Sequence, residues 1–132
     1  MTAEEMIRCL VGFDTVSRDS NLPLIEFVEN YLDDLGVRSH RVASADGRKS
    51  NLYATVGPEE EGGVVLSGHT DVVPIDGQDW DSDPFALTRH DGRLHGRGTC
   101  DMKGFIGIAL ALVPEMKKLR RPVHFALSYD EE

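Results

Sequence analysis

Three short segments carry the side chains best suited to chemistry: Ser67-Gly68-His69-Thr70-Asp71, Gly98-Thr99-Cys100-Asp101-Met102-Lys103-Gly104 and Tyr129-Asp130-Glu131-Glu132. Each places metal-binding or acid–base groups where an apolar run gives way to a turn. Val64-Val65-Leu66 leads into the first, and Val123 to Ser128 leads into the third. Side chains at such strand ends converge on one edge of a sheet, where open α/β folds place their ligands.

His69 and Asp71 are two positions apart, so in extended backbone both side chains leave the same face. An imidazole that binds a metal through one nitrogen usually offers its other N–H to a carboxylate, which fixes the tautomer. Asp71 is placed to accept it. His-x-Asp alone is a weak signal, and Gly68 strengthens it by letting backbone approach a bound ion closely. Asp101 lies between a glycine-rich turn and a helix start, where Asp is a favoured N-cap. Capping does not require Gly96, Gly98 and Gly104 around it, and a carboxylate there can also bridge two cations ~3.5–4 Å apart. The two roles are compatible.

Glu131 and Glu132 are consecutive, so in a regular strand they would point to opposite faces. At a strand end the chain can turn, leaving one as a metal ligand and the other as a base for a water proton. A bare Glu-Glu pair is commonly solvated surface, but here it closes an apolar strand, a poor place for idle charge. His40, His90, His95 and His124 have no ligand-like neighbour and read as structural. Cys100 is capable of ligating zinc, yet in extended chain it points away from Asp101 and reads as a small buried residue. Asp76, Asp79, Asp81 and Asp83 lack the Gly and distal Glu of an EF-hand, leaving a surface loop anchored by Trp80 and Phe85.

The elements that must hold these groups follow from local pattern. Thr2 and Glu5 form a capping box before Met6, Ile7, Leu10 and Val11, predicting a helix to about Phe13. Asn21 and Pro23 open a second helix, with Leu24, Phe27, Val28, Tyr31, Leu32 and Leu35 on one face and Gly36 ending it. Strands are predicted at 37–42, 51–56, 63–67 and 123–128. The third is continuously apolar in its middle, as in a strand covered on both faces. Leu87 to His95 reads as a hairpin around Asp91-Gly92. Met102 to about Leu119 reads as helix, with Phe105, Ile106, Ile108, Ala109, Leu112 and Val113 inward and Pro114 kinking it or starting a new turn. The expected fold is α/β, a mixed sheet with helices packed on it.

The chain has 132 residues, 40% hydrophobic, with 13 Gly and 6 Pro, which suits one α/β domain at most. Its 14 basic and 23 acidic residues give a net charge of −9. That balance argues against nucleic-acid or anionic-membrane partners, which require clustered Lys and Arg. Lys117-Lys118 and Arg120-Arg121 read as cations at a helix C-terminus. Met1 to Glu5 is acidic where a signal peptide is basic, and no apolar run reaches the ~18 residues of a membrane span. Cys9 and Cys100 suit free thiols in a reducing cytosol, so a cytoplasmic location is expected.

Ser67-Gly68-His69-Thr70-Asp71-Val72-Val73-Pro74, Trp80 with Asp83-Pro84-Phe85, Asp91-Gly92-Arg93-Leu94, Gly96-Arg97-Gly98 with Cys100 to Gly104, and Ser128 to Glu132 resemble, in this order, one family. It is the co-catalytic metallopeptidase and deacylase family that includes succinyl-diaminopimelate desuccinylase and the glutamate-releasing carboxypeptidases. The resemblance covers nearly the whole chain, and Thr99-Cys100-Asp101-Met102-Lys103-Gly104-Phe105 leans toward the branch that acts on acetylornithine. It implies hydrolysis of an N-acyl amide with Zn2+ or Co2+, two ions in a complete enzyme. His69 resembles the ligand of one metal and Asp71 its orienting neighbour. Asp101 resembles the bridging carboxylate, Glu131 the general base and Glu132 a ligand of the other metal. The implied substrate is a small N-acyl amino acid, acetylornithine in arginine biosynthesis. Family members continue past the Glu-Glu motif, adding further ligands and a smaller domain that forms a homodimer. Residues 1–132 are therefore expected to be the amino-terminal part of a catalytic domain, incomplete and inactive alone. The alternatives are a desuccinylase or dipeptidase of the same family, or a non-catalytic remnant that acts as a binding domain.

Overall fold

Thr2 begins α1 (Ala3–Val11) with both halves of the capping box. The Glu5 N–H donates to Thr2 Oγ1 at 3.2 Å, and the Thr2 N–H donates to the Glu5 carboxylate at 2.7 Å. The helix stops at Gly12, slightly before the sequence-based end. α2 (Leu22–Asp34) follows with Pro23 in its first turn, and Gly36 takes a φ of +70° just beyond it. The computed structural model describes residues 1–132.

The sheet contains β1 (Ser39–Ala43), β2 (Ser50–Val56), β3 (Val64–His69) and a final strand. Between β3 and that strand lie the hairpin β4 (Thr88–His90) and β5 (Arg93–His95), then α3 (Lys103–Ala111) and α4 (Val113–Met116). β6 (Val123–Ser128) completes the sheet, in the order β1-β2-β6-β3. β1–β2 and β2–β6 are antiparallel and β6–β3 is parallel, so the sheet is mixed as expected. The parallel register pairs Val64 with Val123 and ends on His69 opposite Ser128. The hairpin turns at Asp91-Gly92 with φ of 48° and 71°, both positive as a two-residue type I′ turn requires.

One core joins the helices to one face of the sheet. Met6 and Leu10, Ile25 and Leu32, and Ile106 and Leu110 pack on Leu52, Phe125 and Leu127. Burying each leucine there contributes roughly 1.5–3 kcal/mol before entropy is counted.

Two packing expectations need correction. β3 is not covered on both faces: Val64 and Val65 are 57% and 58% exposed, because β3 is a sheet edge paired only with β6. The opposite sheet face, with Val42, Tyr53, Thr55, His124 and Val65 on it by register, carries no helix. In α3, the inward stripe is Ile106, Ala109 and Leu110, with Val113 beyond it. Phe105, Ile108 and Leu112 face outward at 41–49% exposure. A helix apolar all round gives no moment from which to choose a face. Pro114 lies in the first turn of α4, after a break at Leu112, as one of its two readings anticipated. No helix is long and apolar enough to cross a membrane.

Candidate metal centre

Three element ends deliver the acid–base groups. His69 is the last residue of β3, and Asp71 follows on the outgoing chain. Asp101 belongs to the glycine-rich turn before α3, and Glu131 and Glu132 lie just past β6, after Asp130 at a φ of 57°. That left-handed residue turns the chain, so two consecutive glutamates approach one site. His69 Nε2 is 2.8 Å from Asp101 Oδ1 and 3.6 Å from Glu131 Oε2. One ligand atom each from His69, Asp101 and Glu132 lies within 4.8 Å of the others.

Asp101 does not cap α3. The N-cap is Met102, without a side-chain cap bond, and the Asp101 carboxylate turns to the imidazole instead. The turn holds this course because α3 approaches it closely: a Cβ on Gly104 would lie 2.0 Å from the Thr99 carbonyl oxygen. The Lys103 N–H closes the turn onto the Gly98 carbonyl at 2.7 Å.

The part played by Asp71 differs from the expectation. His69 Nδ1 donates to the Asp71 main-chain carbonyl at 2.9 Å, while the nearer carboxylate oxygen is 3.4 Å away. The buried Asp71 carboxylate accepts the main-chain N–H of Glu131 at 3.3 Å and of Glu132 at 2.9 Å. A single residue thus orients the ring through its backbone and holds the far strand end through its side chain. Separations of 60 and 61 residues left no sequence signal for those two bonds.

The electrostatics suit a cation. Burial pulls the His69 pKa down, but the Asp101 hydrogen bond, the Asp71 carbonyl and the charges of Asp71 and Glu131 outweigh it and raise it overall. Glu132 is raised by desolvation and then by the neighbouring carboxylates Asp101, Glu131 and Asp71. Asp101, Glu131 and Glu132 form no ion pair with lysine or arginine; the nearby Lys49 is committed to Asp130 and the Ser17 carbonyl. Two like charges ~4 Å apart repel by about 1 kcal/mol in water and about 4 kcal/mol at an effective dielectric of ~20. His69 faces an acceptor at each nitrogen, which satisfies either an imidazolium or an imidazole whose Nε2 shares a cation with Asp101. An imidazole among clustered carboxylate oxygens is also the donor set that divalent zinc or cobalt takes.

The other candidates stay outside the cluster. His124 hydrogen-bonds Thr55, Tyr53 and the Gly62 carbonyl, and the His90 and His95 rings lie tilted to one another on the exposed hairpin, centroids 6.2 Å apart. Cys100 is exposed, not buried, because it projects from the turn into solvent. The residue that sequence reasoning overlooked is Lys103, fully buried and donating from Nζ to the Phe13 carbonyl at 2.6 Å. Its signal was its position: a cation in a first helical turn opposes the helix dipole.

The profile of peptidase family M20/M25/M40 matches residues 65–132. Acetylornithine deacetylase of Pasteurella multocida (strain Pm70) is 40% identical over 137 residues, covering 97% of this chain and 36% of that protein. The acetylornithine deacetylase of Shigella sonnei (strain Ss046) is 36% identical over the same shares. Among solved structures, human carnosine dipeptidase 1 superposes with a TM-score of 0.79 at 24% identity, over 96% of this chain and 32% of that one. The M20 family metallo-carboxypeptidase Sso-CP2 of Sulfolobus solfataricus gives 0.80 at 19% identity, over 96% and 30%. The chain spans about 36% of the length of the curated relatives it matches.

Proposed function

The chain belongs to peptidase family M20/M25/M40, and from that premise and the geometry above we propose that it is the amino-terminal part of the catalytic domain of a metal-dependent N-acyl amino acid hydrolase. The observation that carries this reading is the convergence of His69, Asp101 and Glu132 within 4.8 Å, with Glu131 beside them and no lysine or arginine among them.

His69, Asp101 and Glu132 are the residues that would hold zinc or cobalt, with Asp101 shared between two ions where both are present. Such an ion, when bound, polarises an acyl carbonyl and makes water a stronger acid. Asp71 orients the ring of His69 and anchors the turn of Glu131 and Glu132. Glu131, with its side chain 61% exposed and 3.6 Å from His69 Nε2, takes a proton from the attacking water and passes it to the leaving amine.

The substrate is read as N-acetylornithine, giving ornithine and acetate in arginine biosynthesis, on the strength of relatives 36–40% identical that bear that activity in their names. The uncovered sheet face and the open edge of β3 support a larger catalytic domain in which further chain covers both. Three ligands leave two ions underbound, since a catalytic zinc normally takes about three protein ligands of its own. The 132 residues alone are accordingly expected to lack turnover, and a complete enzyme to be a homodimer. The test is an assay of a family-length protein containing this chain on acetylornithine and on succinyl-diaminopimelate, before and after chelation. Chelator-sensitive release of acetate supports the reading. Preference for the succinyl substrate reassigns the branch, and no release from either overturns it.

A further inference from the structure

Behind the proposed metal centre lies a set of buried polar side chains to which the reading above gives no role. Thr70 is completely buried, and Thr15, Asn21 and Ser50 are 1–2% exposed. Asn21, expected only to open α2, makes no cap bond. Its Nδ2 donates to the Ser50 carbonyl and to Thr70 Oγ1, each at 2.9 Å, and its Oδ1 accepts the Ser50 N–H at 2.9 Å.

The Ser50 backbone fixes which way the Asn21 amide faces, since a carbonyl can only accept and an N–H can only donate. Thr70 Oγ1 must then accept from Asn21, and its own proton goes to the Ser128 carbonyl at 3.0 Å. The Thr70 N–H reaches that same carbonyl at 2.8 Å, and Thr15 Oγ1 donates to the Thr70 carbonyl at 2.6 Å. The chain of bonds therefore has one direction, from Asn21 through Thr70 to Ser128. Buried polar groups are costly unless each is satisfied, and these lie where the sheet ladder ends. His69 opposite Ser128 is the last β3–β6 pair, and beyond it one strand end carries His69 and the other leads to Glu131 and Glu132.

We propose that Asn21 and Thr70 are positioning residues of the metal centre, fixing through the Ser128 carbonyl the register between the strand end that carries His69 and the strand end that carries Glu131 and Glu132. The inference rests on the metal-binding reading above. Neither side chain touches the ligand atoms. They act by preventing a slip between the two carriers, and metal sites tolerate little looseness in their supporting shell.

The experiment compares the parent chain with Thr70→Val, which keeps the shape and loses the hydroxyl, Thr70→Ser, which keeps the hydroxyl, and Asn21→Asp, which removes the amide donor. Val28→Ala, a buried core change away from the network, controls for destabilisation alone. Two quantities are read: Co2+ affinity from the visible spectrum, and amide hydrogen exchange at Glu131 and Glu132 in the metal-free chain. Thr70→Val and Asn21→Asp are expected to weaken Co2+ binding by roughly 10- to 100-fold and to speed exchange at both glutamates. Thr70→Ser restores both, and Val28→Ala lowers the Tm with parent-like affinity. Parent-like affinity and exchange in Thr70→Val and Asn21→Asp overturn the proposal, as does loss that merely follows Tm in all variants. If the parent chain binds no Co2+, the metal-binding reading itself fails. In that case exchange alone decides the register claim, and unchanged exchange at Glu131 and Glu132 overturns it. Should Thr70→Val not fold, Asn21→Asp against Val28→Ala carries the same decision.

Discussion

The Asp71 carboxylate accepts the main-chain N–H of Glu132 at 2.9 Å, so the residue two positions after His69 fixes the opposite strand end. Replacing it with Ala leaves two partly buried amide donors without an acceptor, which costs about 1–3 kcal/mol. Asp71→Ala is expected to lower stability by that amount in urea unfolding and Co2+ affinity by roughly 10- to 100-fold. The His69 Nδ1 proton should stay hydrogen-bonded in Asp71→Asn, because its acceptor is the residue 71 main-chain carbonyl. Loss of that resonance from the NMR spectrum would show that the carboxylate, not the carbonyl, holds the ring.

Lys103 gives a pH dependence with a definite sign. Burial lowers its pKa from 10.5 to about 8, against a smaller opposing pull from Asp14. Between those values the unfolded chain holds more protons than the folded one, so this residue's contribution to stability rises with pH. The contribution is fully present above pH 10.5 and is lost as pH falls through about 8, with a full amplitude of about 3 kcal/mol. Unfolding of Lys103→Met and the parent at pH 7 and pH 10 measures it. The variant's advantage should be largest at pH 7 and shrink at pH 10, and an advantage independent of pH would refute the assignment.

Gly104→Ala tests the turn that carries Asp101. The added Cβ would lie 2.0 Å from the Thr99 carbonyl oxygen, a backbone atom that can give way only if the turn moves. The substitution is expected to cost at least ~1–3 kcal/mol and to weaken Co2+ binding as well. A folded variant with parent-like affinity would mean that Asp101 is positioned independently of that contact.

What was legible in the sequence was local. The capping box of Thr2 and Glu5 and the Asp91-Gly92 turn involve residues a few positions apart, whose chemistry needs no tertiary partner. The three chemical segments announced themselves because each borders an apolar run: the first and third end one, and the second opens the run that begins at Phe105. Contacts across the fold were not legible. Asn21 looked like a helix opener, and its amide is spent on Ser50 and Thr70, 29 and 49 residues away. The apolar run of β3 showed that a strand exists but not that it is an edge. The all-round apolar α3 offered Phe105 and Ile106 equally, and only packing against α1 and the sheet separates them.

In a family-length protein, Glu131→Gln and Glu132→Gln should fail differently. An amide cannot take the proton of water, so Glu131→Gln is expected to keep its metal and lose turnover by roughly 10²–10⁴-fold. Glu132→Gln should lose metal affinity together with activity, because an amide oxygen is a poorer ligand than a carboxylate. Metal analysis beside steady-state kinetics checks both, and the reverse pattern would exchange the two roles.

Calorimetric titration with Co2+, with parent, Asp101→Ala and Glu131→Gln run side by side, decides whether His69, Asp101 and Glu132 hold a divalent cation. One weakly bound ion per parent chain is expected, removed by chelator, lost in Asp101→Ala and retained in Glu131→Gln. No bound ion or two tightly held ions in the parent, or parent-like binding in Asp101→Ala, would contradict that set of ligands.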